Sequence, residues 1–388
     1  MDKLFWYILG SVGTCILLIF SCSNQSTLDE KHTDTTTQTS AKEPILCGAD
    51  QLSEYVPLLK NKNVALVVNQ TSVIGKTHLV DSLLSLKVGI KKIFSPEHGF
   101  RGTADAGEKV GNETDAKTGL PIISLYGKNK KPSAESLAGI DIVIFDIQDV
   151  GARFYTYIST MHYVMQACAE NNKTLLILDR PNPNGYYVAG PVLDMKCKSF
   201  VGMHPIPIVH GLTIAELAGM INGEKWLDSA KVCTLQIVKV KNYSHKDRYS
   251  LPVKPSPNLP NDQAIRLYPA LCLFEGTNIS VGRGTEFPFQ VIGSPNKSNG
   301  TFKFTPKSIE GMAKNPTYEN QLCYGTDLRN LYPESSVFTL KWLLEYYHKA
   351  SDKEKFFNDF FKNLAGNTVL KEQIKKGMTE DQIKKTWE

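Results

Sequence analysis

Ile93-Phe94-Ser95-Pro96-Glu97-His98-Gly99-Phe100-Arg101-Gly102 is a short apolar run that breaks at a proline and then delivers a carboxylate, an imidazole and a guanidinium. It reads as a buried strand entering a loop. In open α/β sheets ligands bind beyond the carboxyl ends of the strands, because the strand fixes a position while the loop lets side chains converge. Glu97 is therefore the first candidate for chemistry. The competing reading is a tight turn made by Pro96 and the two glycines, with a solvated glutamate.

The same pattern recurs on either side. Val64-Ala65-Leu66-Val67-Val68 is a continuous apolar run, as expected of a strand covered on both faces, and it stops at Asn69-Gln70-Thr71. Ile140 to Phe145 ends in Asp146, Gln148 and Asp149, followed by Arg153, Tyr155 and Tyr157; Thr174 to Leu178 ends in Asp179-Arg180-Pro181-Asn182-Pro183. Leucines at 79, 83, 84 and 86 and the segment Thr160 to Glu170 supply intervening helices, while Ile122 to Tyr126 and Lys231 to Lys241 read as further strands. These alternations predict an α/β fold with a mostly parallel sheet, in which four polar strand ends face one crevice. Buried carboxylates need partners, so Asp146 or Asp149 is expected to meet an arginine. One such ion pair explains one strand end, but not four in succession.

With 388 residues, 41% of them hydrophobic, the chain is too long for one compact core, which favours two domains. The formal charge of +5 comes with no basic cluster, which argues against a nucleic-acid partner. Lys3 precedes the apolar stretch Leu4 to Phe20, too short for a spanning helix and positioned like a signal peptide over 1–21. Cys22 follows a small residue and resembles the acylated first residue of an exported, membrane-anchored lipoprotein on the periplasmic or cell-surface side; a plain secretory signal is the alternative. Residues 22–43 are polar and read as a flexible tether. The remaining cysteines, Cys47, Cys168, Cys197, Cys233, Cys272 and Cys323, form no C-x-x-C pair, which excludes a zinc ribbon or thioredoxin-type motif and fixes no pairing.

Nucleotide binding is disfavoured. Gly75-Lys76-Thr77 matches the end of a P-loop, but Gln70 stands where the first glycine is needed, and no G-x-G-x-x-G follows the first strand. Gly102 to Gly119 reads as a long surface loop, a possible lid. Thr213 and Glu216 form a capping box, so Glu216 reads as structural. Near Asn242 the composition changes, giving expected domains of 44–245 and 246–388. In the second, glycines flank Arg283 and hold a guanidinium suited to bidentate carboxylate binding, with an ion pair to Glu275 or Glu286 as the plainer reading. Segments Phe338 to Tyr347, Glu354 to Leu364, Lys371 to Gly377 and Thr379 to Lys385 read as helical.

Taken in order, Ser95-Pro96-Glu97-His98-Gly99-Phe100-Arg101-Gly102, Phe145 to Tyr157, Leu178-Asp179-Arg180-Pro181-Asn182-Pro183, Pro255-Ser256-Pro257-Asn258 and Glu275 to Thr285 resemble the exo-acting β-N-acetylmuramidases of the NamZ type, glycoside hydrolase family 171. The resemblance runs from about Gly48 onward and departs at the C-terminus, where the family pattern continues past the tryptophan matched by Trp387. It implies a Rossmann-like N-terminal domain and a smaller α+β C-terminal domain with the site in the cleft between them. It also implies release of terminal N-acetylmuramic acid from the non-reducing end of peptidoglycan fragments (MurNAc-GlcNAc units), with no metal, nucleotide or other cofactor. Glu97 matches the family's proposed catalytic glutamate.

Glycoside hydrolysis uses one carboxyl to protonate the leaving oxygen and a second group to attack or to activate water. Glu97 is assigned as the acid, His98 as the residue shaping its hydrogen bonds, and Asp146 or Asp149 as the partner. Arg283 or Arg153 suits the lactyl carboxylate of the sugar. Asn69, Arg101, Gln148, Tyr155, Tyr157, Asp179, Arg180, Asn182, Asn258 and Glu275 complete the expected substrate-binding set, the two tyrosines being equally explicable as core. Two rivals stand beside this reading. A non-catalytic, surface-anchored lipoprotein binding peptidoglycan sugars would use the same crevice. A metallohydrolase could draw on His98, His162, His204 or His210, although no H-x-x-x-H or H-x-x-E-H spacing occurs.

Overall fold

The computed structural model describes residues 43–96, 99–100, 113–331 and 337–387. Glu97, His98, Arg101, the 102–112 part of the expected lid, the signal segment, Cys22 and the tether up to Lys42 lie outside the described residues.

Twelve strands occur among the described residues: β1 (Val64–Val68), β2 (Val73–Ile74), β3 (Thr77–His78), β4 (Ile90–Ser95), β5 (Glu113–Thr114), β6 (Pro121–Ser124), β7 (Ile142–Asp146), β8 (Thr174–Leu178), β9 (Thr234–Val238), β10 (Val291–Ser294), β11 (Phe302–Phe304) and β12 (Cys323–Asp327). The main sheet has the order β5-β6-β4-β1-β7-β8-β9 and is parallel except at β5, which pairs antiparallel with β6. Val67 lies opposite Phe94 on one side and Phe145 on the other, and Phe145 opposite Ile177. This common register brings Asn69, Pro96, the 147–149 segment and Asp179 to one edge of the sheet.

The helices are α1 (Leu52–Tyr55), α2 (Leu79–Ser85), α3 (Ala134–Leu137), α4 (Tyr157–Glu170), α5 (Ile214–Gly223), α6 (Asp262–Leu271), α7 (Lys341–Lys349), α8 (Phe361–Ala365), α9 (Val369–Lys375) and α10 (Glu380–Lys384). They explain why the central strands are apolar throughout. Val64, Leu66 and Val68 face one side, against Tyr55, Leu79 and Leu83; Ala65 and Val67 face the other, in the cluster that includes Ile158 and Met161 of α4 and Leu217 of α5. Alternate residues of one strand thus feed two cores. The second core runs on through Tyr268, Phe274, Phe289 and Phe361 into the C-terminal part, so residues 43–388 form one compact unit. That part carries a small antiparallel sheet of order β10-β12-β11.

The expected capping box of Thr213 with Glu216 opens α5, and Thr379 with Gln382 opens α10. One helix is shorter than its sequence suggests. Of Glu354 to Leu364, only Phe361 onward is helical, because the backbone before it pairs with a distant segment: Asn278 N–H donates to the Phe356 carbonyl at 2.9 Å and Asn358 N–H to the Gly276 carbonyl at 3.0 Å.

Candidate active site

Most polar groups at the strand ends are occupied by one another. Asp146, fully buried, accepts from Arg180 Nε at 2.6 Å and Nη2 at 2.9 Å, and Arg180 Nη2 also reaches the Val73 carbonyl at 3.1 Å. The adjacent carboxylate raises the Arg180 pKa and keeps it charged. This corrects the expectation for both residues: they neutralise each other as a buried pair and present no exposed charge to a substrate.

Asp179 and Asn182 are corrected for a related reason. The Asp179 carboxylate accepts from Thr213 Oγ1 at 2.9 Å and Ala215 N–H at 3.0 Å, anchoring the first turn of α5, and burial pushes its pKa up to about 6. Asn182 Oδ1 accepts from the Asn184 N–H and its Nδ2 donates to the Leu212 carbonyl, both at 2.8 Å. Gln148 donates from Nε2 to the carbonyls of Asp149 and Pro181 and from its N–H to Thr71 Oγ1, tying β7 to the ends of β8 and β1. Asn69 Oδ1 accepts from both the N–H and the hydroxyl of Thr71, leaving Nδ2 buried without a partner among the described residues.

Arg153 is the largest correction. It is completely buried, and its terminal nitrogens donate to the carbonyls of Pro191 and Ile206 (2.7 and 2.8 Å) and of Leu364 and Ala365 (3.2 and 2.9 Å). Burial lowers its pKa to about 10. It holds the end of α8 against the sheet half and cannot meet a carboxylate from solvent.

A cleft of about 140 Å³ opens at the start of α4, lined by Tyr155, Tyr157, Asn258, Tyr268, Glu275 and Arg283 among others. Its sides are fastened together at one atom. The Pro255 carbonyl accepts from the hydroxyls of Tyr155 (2.8 Å) and Tyr157 (3.5 Å) and from Gln70 Nε2 (3.1 Å). The two tyrosine hydroxyls therefore position the 255–258 loop, and the rings form the wall. Asn258 donates from Nδ2 to the Met312 carbonyl at 2.6 Å, with Oδ1 unpartnered among the described residues.

Arg283 donates from Nε to Glu275 Oε1 at 2.5 Å, so the plainer reading of that ion pair holds. The pair leaves the outer guanidinium nitrogens without a hydrogen-bond partner among the described residues, and the side chain is 27% exposed on the cleft. Gly282 and Gly284 sit at φ +79° and +80°, and a Cβ on Gly284 would come within 2.5 Å of the Lys307 carbonyl oxygen, so the flanking glycines are required by the close approach.

Asp149 differs from Asp146. Its Oδ2 accepts from the Gly151 N–H at 2.7 Å and lies 3.6 Å from His210 Nε2, while Oδ1 is buried with no partner among the described residues. His210 Nδ1 accepts from the Leu212 N–H at 3.2 Å, which places the ring proton on Nε2, facing Asp149. His162 and His204 contact each other at 3.0 Å in the interior, and burial drives His162 down to about 4, so both are neutral. Among the described residues no group of three His, Cys, Asp or Glu side chains is arranged to hold a metal.

Sequence reasoning missed Tyr268, Phe154, Phe289 and Ser256 as lining residues, and His210 as the neighbour of Asp149. Tyr268 lies inside an amphipathic helix and carries no local signal. His210 stands just before the Gly211-Leu212-Thr213 helix start, where a buried polar ring at a chain reversal was the available clue.

Residues 64–263 match the family described as exo-beta-N-acetylmuramidase NamZ, N-terminal, and residues 266–388 the family described as exo-beta-N-acetylmuramidase NamZ, C-terminal. The chain is 39% identical over 381 residues to the peptidoglycan beta-N-acetylmuramidase NamZ of Bacillus subtilis (strain 168), covering 92% of this chain and 90% of that protein. A crystal structure of a DUF1343 family protein from Bacteroides fragilis is 50% identical with a TM-score of 0.83, covering 89% of this chain and 95% of that one. A second DUF1343 family protein from the same organism is 29% identical with a TM-score of 0.76, covering 88% and 94%. With both halves matched in order, and with the parallel sheet and cleft described above, the chain belongs to the NamZ family of exo-β-N-acetylmuramidases.

Proposed function

We propose that this protein is a glycoside hydrolase that removes terminal N-acetylmuramic acid from the non-reducing end of peptidoglycan fragments, in cell-wall turnover. The observation that carries the reading, beyond family membership, is Arg283. Its Nε is held by Glu275, its outer nitrogens are left for a ligand, and aromatic rings flank it in a cleft. An arginine fixed on one edge presents the other as a bidentate receptor for a carboxylate, and the lactyl group distinguishes this sugar from N-acetylglucosamine.

In the proposed reaction Glu97, which follows the end of β4, gives its proton to the glycosidic oxygen as the C1–O bond breaks. Water supplies the hydroxyl that ends on C1, and its remaining proton is taken up by a site carboxylate and restored to Glu97, so atoms and charge balance. His98 adjusts the hydrogen bonding of Glu97. Asp149 is favoured over Asp146 as the second carboxyl, because Asp146 is neutralised by Arg180 whereas Asp149 Oδ1 lacks a partner among the described residues. The rings of Tyr155 and Tyr157 give the sugar a flat wall. We also take residues 1–21 as a signal peptide and Cys22 as the site of a lipid anchor holding the enzyme to a membrane after export.

The direct test is product analysis. The soluble form starting at Ser23, incubated with MurNAc-GlcNAc disaccharide, is expected to yield the two free sugars by mass spectrometry. An intact disaccharide at high enzyme concentration would remove the hydrolase reading.

A further inference from the structure

The cleft contains a polar atom whose bonding is incomplete. Asn258 is 1% exposed, its N–H donates to Ser256 Oγ at 3.0 Å, and its Nδ2 donates to the Met312 carbonyl at 2.6 Å. That last bond fixes the amide, since turning it over would set Oδ1 against another oxygen. Oδ1 is left as an acceptor on a cleft residue, buried and without a donor among the described residues. Buried acceptors are rarely left unmet, so a ligand donor is the natural complement.

Among the described residues, Tyr155, Tyr157 and Glu275 of the same lining are already engaged. Tyr155 and Tyr157 donate to the Pro255 carbonyl, while Glu275 accepts from Arg283 on Oε1 and from Cys272 Sγ on Oε2. Among the described residues the cleft therefore offers a ligand a cationic edge at Arg283 and a fixed, unmet acceptor at Asn258. A matching ligand carries an anion and, close to it, a donor.

We propose that Asn258 Oδ1 accepts a hydrogen bond from the 2-acetamido N–H of the terminal muramic acid while Arg283 takes its lactyl carboxylate. This assignment rests on the muramidase reading. The acetamido group on C2 and the lactyl ether on C3 are neighbours on the ring, so both can enter one small cleft. An amide N–H only donates and a fixed amide oxygen only accepts, so the pair discriminates where a hydroxyl, able to do either, would adapt. Asn258 thereby sets the requirement for nitrogen at C2.

The test compares wild type and Asn258→Ala on 4-nitrophenyl β-N-acetylmuramide and on the analogue in which the C2 amide N–H is replaced by an ester oxygen. Any part played by the acetyl carbonyl is common to both proteins and cancels in the ratio of ratios. Wild type should prefer the amide by about 10- to 100-fold more than Asn258→Ala does in kcat/KM. An equal preference in the two proteins overturns the assignment. Should Asn258→Ala fail to fold, inhibition of wild type decides: free N-acetylmuramic acid should bind at least about 10-fold more tightly than its 2-O-acetyl counterpart, and equal Ki values overturn the proposal. Absence of any wild-type turnover of the muramide would instead strike the muramidase reading itself.

Discussion

Replacing Arg153 with methionine separates a structural arginine from a substrate-binding one. The guanidinium satisfies four carbonyl oxygens, of Pro191, Ile206, Leu364 and Ala365, with no exposure to solvent. Methionine fills much of the space but donates nothing, so four hydrogen bonds to buried carbonyls are lost, and among the described residues only the Ile206 oxygen keeps another donor, the Leu193 N–H at 3.2 Å. At a net cost of about 1 kcal/mol for each lost hydrogen bond, the loss is about 4 kcal/mol. For a folded unit on the order of 350 residues, with an unfolding entropy of about 2 cal/mol/K per residue, that lowers Tm by about 6 °C. Calorimetry on the soluble form gives the shift, and steady-state rates on a chromogenic β-N-acetylmuramide at 20 °C give the catalytic side. The expected result is a large drop in Tm with KM within about twofold of wild type. An unchanged Tm with a KM raised for the muramide alone would refute the structural role and return Arg153 to the substrate.

Arg283→Gln removes the carboxylate receptor: a charge-assisted pair, discounted for partial exposure, predicts a KM for the muramide about 10-fold higher in the same assay; an unchanged KM would remove that role. Burial raises the Asp179 pKa in the folded state to about 6, from an ordinary 3.8. The folded state therefore binds its proton more tightly, and the resulting stability is complete below pH 4 and lost as pH rises through 6, on the order of 2–3 kcal/mol. Urea unfolding across pH 4–7 should show this fall in wild type and not in Asp179→Asn; parallel profiles would remove the assignment.

The sheet was legible because its physics is local. Val64–Val68 and Thr174–Leu178 are apolar along their whole length, which happens when helices cover both faces, and the structure starts and stops them at the residues the sequence marks. The convergence of strand ends was also legible, but the roles of the individual residues were not. Asp146, Asp179 and Arg153 look like site residues until their partners are known, and those partners, Arg180, Thr213 and the Leu364–Ala365 carbonyls, lie 34 or more positions away. The same non-local pairing turned Glu354 to Phe360 from an expected helix into a connection of turns with one bridge, between Phe357 and Thr277. Arg283 was legible in part, since its flanking glycines announced close packing while its bond to Glu275 stood as one of two alternatives.

The most direct measurement of the central claim compares the soluble wild type with Glu97→Gln on a chromogenic β-N-acetylmuramide and its N-acetylglucosamine counterpart. A general acid contributes about 10²- to 10⁴-fold. The account predicts that wild type cleaves the muramide alone, and that Glu97→Gln loses at least about 100-fold in kcat while its KM and Tm stay close to wild type. Turnover by Glu97→Gln within a few-fold of wild type, or equal cleavage of both sugars by wild type, would contradict it.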